Sequence, residues 1–184
     1  MLQTPGLTAI ADLGEARRVH LEESLAVVPL LERFGGPIVD VGSGGGAPGI
    51  PVAAALPDRD VALLEANGRK CAFLESVARE FPNARVVRGR AEEQPVDEYG
   101  VALAKALASP PVAAEWCLPL VAPGGAAILF VGPSADAAAL ARVSTQLGGG
   151  EPESHPGLLV LPKLEPTPPG FPRRAGMAKK RPLS

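Results

Sequence analysis

Between Ala11 and Phe34 apolar residues recur at Leu21, Leu25, Val28 and Leu31 with charges between them, the stripe of an amphipathic helix that Pro29 interrupts. Gly35-Gly36-Pro37 ends that helix, and Ile38-Val39-Asp40-Val41 reads as a short buried strand. The pattern then alternates. Helices are predicted over Ile50–Leu56, Gly68–Phe81, Val112–Val121 and Ala135–Leu147, and strands over Asp60–Glu65, Ala84–Gly89, Gly100–Ala104 and Gly125–Val131. Such alternation predicts parallel strands joined by helical crossovers, a doubly wound α/β fold with five strand–helix steps. Gly148-Gly149-Gly150 and the polar stretch to Pro156 predict a loop, Gly157–Lys163 a last strand, and Pro166–Gly170 the start of an irregular tail. No internal repeat is present. The expected organisation is a helical extension over residues 1–36 packed on one domain over 37–164, with a basic, proline-rich tail over 165–184.

A length of 184 residues with 46% apolar content suffices for one domain, and the 4% aromatic content predicts a core tiled by Ala, Val and Leu. The formal charge of −2 excludes a uniformly basic nucleic-acid binder. Its distribution changes the picture. From Glu165 onward five basic residues, Arg173, Arg174, Lys179, Lys180 and Arg181, stand against one acid, a net +4 that leaves −6 for the remainder. Such a tail suits contact with a polyanion. Cys71 and Cys117 lack CxxC spacing and histidine neighbours, so neither a disulfide scaffold nor a metal site is expected. The start of the chain lacks a basic segment followed by an apolar run, and Val101–Val121 is broken by Lys105, Glu115 and prolines, so a soluble cytoplasmic protein without membrane contact is expected.

The strongest motif is Asp40-Val41-Gly42-Ser43-Gly44-Gly45-Gly46-Ala47-Pro48-Gly49, where a strand ends and a helix begins. Glycines there permit positive φ and let a ligand approach bare backbone, while free N–H groups at the helix start can hold a polar ligand end. Glu65, at the end of the second strand, is placed to accept hydrogen bonds from ribose hydroxyls. Two ligands fit, because Gly44, Gly46 and Gly49 also satisfy the GxGxxG spacing of a dinucleotide-binding turn, which leaves a nicotinamide-dependent oxidoreductase as an alternative. S-adenosyl-L-methionine is favoured by Asp40 within the first strand, by Pro48 at the helix start, and by a chain too short for a separate substrate domain. The Asp40 carboxylate can face the cationic methionine end of that cofactor, directly or through water.

Neither cysteine follows a proline, as a cytosine-C5 nucleophile would, and Ala104-Lys105-Ala106-Leu107-Ala108 replaces the Asn-Pro-Pro or Asp-Pro-Pro turn of amino-methylating enzymes. What remains is transfer to an acceptor with a free lone pair, such as a ring nitrogen. No general base is required, and catalysis consists of placement and desolvation.

These residues resemble the bacterial small-subunit rRNA 7-methylguanosine methyltransferases, the GidB family. The resemblance runs through His20, Glu23-Ser24, the glycine-rich motif to Ile50-Pro51, Leu64-Glu65, Arg69-Lys70, Phe73-Leu74, Gly89-Arg90-Ala91-Glu92-Glu93, Phe171-Pro172-Arg173-Arg174-Ala175-Gly176 and Pro182-Leu183. It implies a class I, Rossmann-like methyltransferase fold and methyl transfer from S-adenosyl-L-methionine to N7 of a guanine in 16S rRNA, with the small ribosomal subunit or its precursor as partner; a monomer is expected. By position, Gly42, Ala47, Ala91, Glu92 and Lys105 would line the cofactor site together with Asp40, Gly44, Gly46 and Glu65. Glu92 would sit near the adenine amino group, and Ala91 would act through its backbone N–H. Lys105, Arg173 and Arg174 would contact RNA. No residue is assigned as a catalytic base, and His20 has no catalytic role.

The chain departs from the family pattern at Ala104-Lys105-Ala106, where the family has Ser-Arg-Ala, so the planar fork of arginine is missing. Val131 stands where the family has lysine. The N-terminal helical region is short, and Gly148 to Pro156 leave little room for the penultimate strand, so a truncated sheet edge is expected. These departures also fit a catalytically impaired, cofactor-binding relative.

Overall fold

The structure, a computed structural model, describes residues 6–133 and 135–184; residues 1–5 of the expected N-terminal extension, and Ser134, lie outside the described residues. Seven strands form one sheet: β1 (Ile38–Val41), β2 (Val61–Glu65), β3 (Ala84–Arg88), β4 (Tyr99–Lys105), β5 (Val121–Phe130), β6 (Glu153–His155) and β7 (Leu158–Pro162), in the order β3-β2-β1-β4-β5-β7-β6. The pairings among β1 to β5 are parallel, whereas β7 runs antiparallel to both β5 and β6. Order reverses between β1 and β4, which opens a crevice at the carboxyl ends of those strands.

Side chains along each strand alternate between two buried layers. Val39, Val41, Ala62, Leu64, Ala102 and Leu129 face one layer, and Ile38, Val61, Leu63, Val101, Leu103 and Ile128 the other. Burial on both faces explains why the strands read as nearly continuous apolar runs. Four helices follow the motif in turn: α4 (Gly49–Ala55), α5 (Gly68–Ala78), α6 (Pro110–Cys117) and α7 (Ala138–Gln146), numbered after α1 (Leu13–Arg17), α2 (Glu23–Leu25) and α3 (Val28–Leu31) of the N-terminal segment.

Three expectations change. The N-terminal segment is broken into α1, a π-helical turn at Arg18–Glu22, α2 and α3. The wider turn shifts the helical phase, so Leu21 is exposed while Ser24, Val27 and Leu31 are buried. Pro29 lies in the first turn of α3, where its missing N–H costs nothing. Second, the sheet edge is not truncated. Glu153–His155 pairs with Leu158–Val160 through a Pro156-Gly157 turn with Gly157 at φ +73°, and so the penultimate strand survives in three residues. A polar, partly exposed, three-residue edge carries no apolar pattern to read. Third, the tail is not irregular throughout: α8 (Met177–Lys180) buries Ala178, and Phe171 and Leu183 pack on the core.

Buried polar groups fasten that tail. Lys163 is fully buried; its Nζ donates to the Leu118 carbonyl at 2.9 Å and to Thr167 Oγ1 at 2.7 Å and lies 3.3 Å from Asp97 Oδ1. Glu115 on α6 is 2% exposed and meets the Arg173 guanidinium with both carboxylate oxygens.

Candidate functional site

The turn from β1 into α4 is held from below. Gly42 N and Ser43 N donate to the Leu64 carbonyl at 2.8 and 3.0 Å, and Gly49 N donates to Asp40 Oδ2 at 3.0 Å. Gly42, Gly44 and Gly46 take φ of +73°, +54° and +98°, the left-handed region that glycine occupies without penalty. Gly49 is required for packing instead, since a Cβ there would lie 2.3 Å from Leu63 Cδ2 and 2.7 Å from Asp40 Oδ2.

Asp40 lies beneath this turn rather than in the crevice. It is 1% exposed, and burial drives its carboxyl up to about 7 despite the Gly49 hydrogen bond. From this depth it caps the start of α4 through Gly49 N. Gly46 is likewise beneath the surface, where a Cβ would lie 2.9 Å from Ile50 Cγ1.

Three neighbouring clefts open above. The first, about 280 Å³, is lined by Val41, Gly42, Glu65, Ala91, Glu92 and Leu107 among others. The second, about 230 Å³, is lined by Gly42, Ser43, Gly44, Ala47, His20 and Lys105 and shares Gly42, Lys70 and Ala106 with the first. The third, about 640 Å³, adds Glu23, Phe130, Val131 and Leu158 and shares Val19, Lys105 and Ala106 with the second. Ala106, common to all three, holds φ +52°, a conformation costing a non-glycine residue about 1 kcal/mol.

In the first cleft the Glu65 carboxylate accepts from Asn67 N at 2.7 Å and Gly44 N at 3.0 Å, so its orientation is set before any ligand arrives. Glu92 Oε1 accepts from Gly176 N at 3.1 Å, tying the tail to this wall, and Glu93 Oε2 accepts from Arg90 N at 3.2 Å. Lys105, at the end of β4, is bonded to the Val19 carbonyl, lies 3.2 Å from Glu23 Oε2 and stands 5.3 Å above the Phe130 ring. It lines the second and third clefts, not the first. His20 accepts or donates at 3.0 Å with Thr8 Oγ1, and burial beside Lys105 lowers its pKa.

Of the expected residues, Gly42, Gly44, Ala47, Glu65, Ala91, Glu92 and Lys105 are brought to the connected clefts, whereas Asp40 and Gly46 support them. Arg173, expected on RNA, turns inward to Glu115, because a buried carboxylate demands a paired cation. Arg174 is exposed. Sequence reading missed Lys70, Trp116 and Lys179 in the first cleft, where Lys179 Nζ stands 5.2 Å from the Trp116 ring. Lys179 was visible only as tail charge, and nothing in linear order joins it to α6.

The crevice tests well against an adenosine bearing an amino-acid arm. Bare backbone at Gly42 spans two clefts, a preset carboxylate lies in the first, and apolar Leu64 and Leu107 flank it. The reversed β7 departs from the six-stranded parallel sheet of the dinucleotide-binding fold. Among the described residues no group of three or more His, Cys, Asp or Glu could hold a metal ion, and no helix is long and apolar enough to cross a membrane.

Known proteins agree with this architecture. An S-adenosylmethionine-dependent O-methyltransferase from Thermotoga maritima superposes with a TM-score of 0.65 over 88% of this chain and 73% of its own, at 14% identity. The CurJ carbon methyltransferase gives 0.64 over 84% and 59%, at 12% identity. These likenesses establish a methyltransferase fold. The chain is 38% identical over 202 residues to ribosomal RNA small subunit methyltransferase G of Synechococcus elongatus, covering 98% of this chain and 84% of the relative. With the Acetivibrio thermocellus protein of the same name it shares 32% identity over 200 residues, 99% of this chain and 83% of that one. The family profile described as rRNA small subunit methyltransferase G matches residues 2–157, and the chain belongs to that family, GidB.

Proposed function

We propose that this protein transfers a methyl group from S-adenosyl-L-methionine to N7 of a guanine in 16S rRNA of the small ribosomal subunit. The observation that carries the reading is the run of adjoining clefts from Glu65 and Glu92 past Gly42 to Lys105, at the carboxyl ends of the parallel strands. When bound, adenosylmethionine supplies an electrophilic methyl group on a sulfonium.

Each residue then has a part. Glu65 receives ribose hydroxyls, Ala91 and Glu92 meet the adenine edge, and Gly42, Gly44 and Ala47 expose backbone to the methionine arm. Asp40 keeps the turn in shape from beneath. N7 of guanine carries a free lone pair, so the residues need only orient two reactants and exclude water; such placement is worth about 7–11 kcal/mol in favourable systems. Lys105 keeps a cation between the cofactor and acceptor sides through its bonds to Glu23 and Val19. Arg174, Lys179, Lys180 and Arg181 are exposed on the tail and supply phosphate contacts. A cytoplasmic, monomeric enzyme acting on the subunit or its precursor fits this arrangement.

The test is incubation of the full chain with methyl-labelled adenosylmethionine and small subunits lacking the modification, followed by borohydride and aniline cleavage, which cuts RNA at 7-methylguanine. Label in 16S rRNA with one new cleavage site is expected. Bound cofactor without transfer would overturn the reading in favour of a cofactor-binding relative without turnover.

A further inference from the structure

We propose that the third cleft receives the acceptor purine, with the Glu23 carboxylate taking the N1–H and 2-amino edge of guanine and Phe130 backing its ring. The inference rests on the methyltransferase reading above and deepens it by assigning the residues that recognise the acceptor.

Position comes first. The cleft adjoins the second through Val19, Lys105 and Ala106, so a base held there lies next to the ligand-binding turn. Its walls are largely apolar, with Val19, Ala26, Phe130, Val131 and Leu158, and a planar base entering it is desolvated. The lining acid is Glu23, whose side chain is 41% exposed. Arg18 Nη1 holds its Oε1 at 2.8 Å and Lys105 Nζ lies 3.2 Å from its Oε2. Each carboxylate oxygen offers two lone pairs, so one on each remains for a ligand while both cations hold the group still. Guanine presents two adjacent N–H donors on that edge, whereas adenine presents an acceptor and a donor. A fixed carboxylate therefore selects guanine.

Charge gives the arrangement a second use. N7 donates its lone pair to the methyl carbon, the carbon–sulfur bond breaks with its pair retained by sulfur, and the purine is left cationic with no proton transferred. As the ring becomes positive, its N1–H grows more acidic and the hydrogen bond to Glu23 strengthens. Phe130, whose ring already lies 5.3 Å from Lys105 Nζ, gives the base apolar contact rather than charge stabilisation. The Glu23 hydrogen bond is stronger in the transition state than in the ground state, which is the condition for accelerating the step.

The experiment is calorimetric titration of the full chain, saturated with adenosylhomocysteine, with 7-methylguanosine 5′-monophosphate and with guanosine 5′-monophosphate. The wild type is expected to bind the cationic nucleotide at least about fivefold more tightly. Glu23→Gln should bring that ratio below about twofold while adenosylhomocysteine affinity stays within about twofold. A purely structural role for Glu23 would move the second quantity and leave the ratio. Phe130→Leu should weaken both nucleotides about fivefold or more. No preference in the wild type, or a preference kept by Glu23→Gln, overturns the inference. Titration needs no turnover, so absence of methyl transfer alongside an intact preference would strike the proposed function and not this pocket.

Discussion

Arg173 in the tail and Glu115 on α6 form a two-point ion pair whose carboxylate is 2% exposed and whose guanidinium is 22% exposed. A buried pair is weak support for net stability, but breaking one by removing a single partner leaves an uncompensated charge. Arg173→Met is therefore expected to destabilise the fold by about 3–5 kcal/mol in urea titrations. Glu115→Leu combined with Arg173→Met should recover most of that loss. An effect on RNA affinity at constant stability would contradict this inward role.

The exposed cations of the tail behave differently. Arg174→Ala and Lys180→Ala are each expected to leave the melting temperature unchanged and to weaken binding to small subunits. The slope of log affinity against log salt should fall by about 1 for each phosphate contact removed.

Glycine substitutions separate the turn's two tasks. Gly49→Ala forces a Cβ against Leu63 and Asp40 and should cost about 1–3 kcal/mol of stability. Gly42→Ala meets Leu107 Cδ1, the movable end of a side chain, at 2.4 Å, and also sits at φ +73°. Its stability loss should be about 1 kcal/mol, with a larger fractional loss in adenosylhomocysteine affinity because Gly42 lines both ligand clefts.

Asp40 gives the fold a pH dependence. Its carboxyl is raised from 3.8 to about 7 by burial, so the folded protein holds that proton more tightly than the unfolded chain. Its contribution to stability is fully present below about pH 4 and is lost as the pH rises to about 7, by at most about 4 kcal/mol. Asp40→Asn should flatten the profile over that interval. Denaturation midpoints of both proteins from pH 4.5 to 8 check this, and parallel profiles would contradict it.

The parallel half of the sheet was legible because strands buried on both faces read as apolar runs bounded by glycine and proline, as Ile38–Val41 and Val61–Glu65 do. The glycine-rich turn and Glu65 were legible because backbone chemistry ties residue type to place. The burial of Asp40 was not legible, because sequence shows a carboxylate beside a ligand turn without showing which side of the strand it occupies. The pairing of Arg173 was hidden for a related reason: its partner Glu115 is 58 residues away, on a helix whose polar residue gave no sign of full burial. Edge strand β6 and the π-helical turn escaped because three polar residues and one wide turn leave no period to detect.

The central claim is that the crevice over the β1–α4 turn is built for adenosylmethionine. Calorimetric titration of the full chain with adenosylhomocysteine tests it most directly. One ligand per chain with micromolar affinity, weakened by Gly42→Ala and by Glu65→Ala, is the predicted result; no binding of adenosylhomocysteine, with NADH bound in its place, would contradict it.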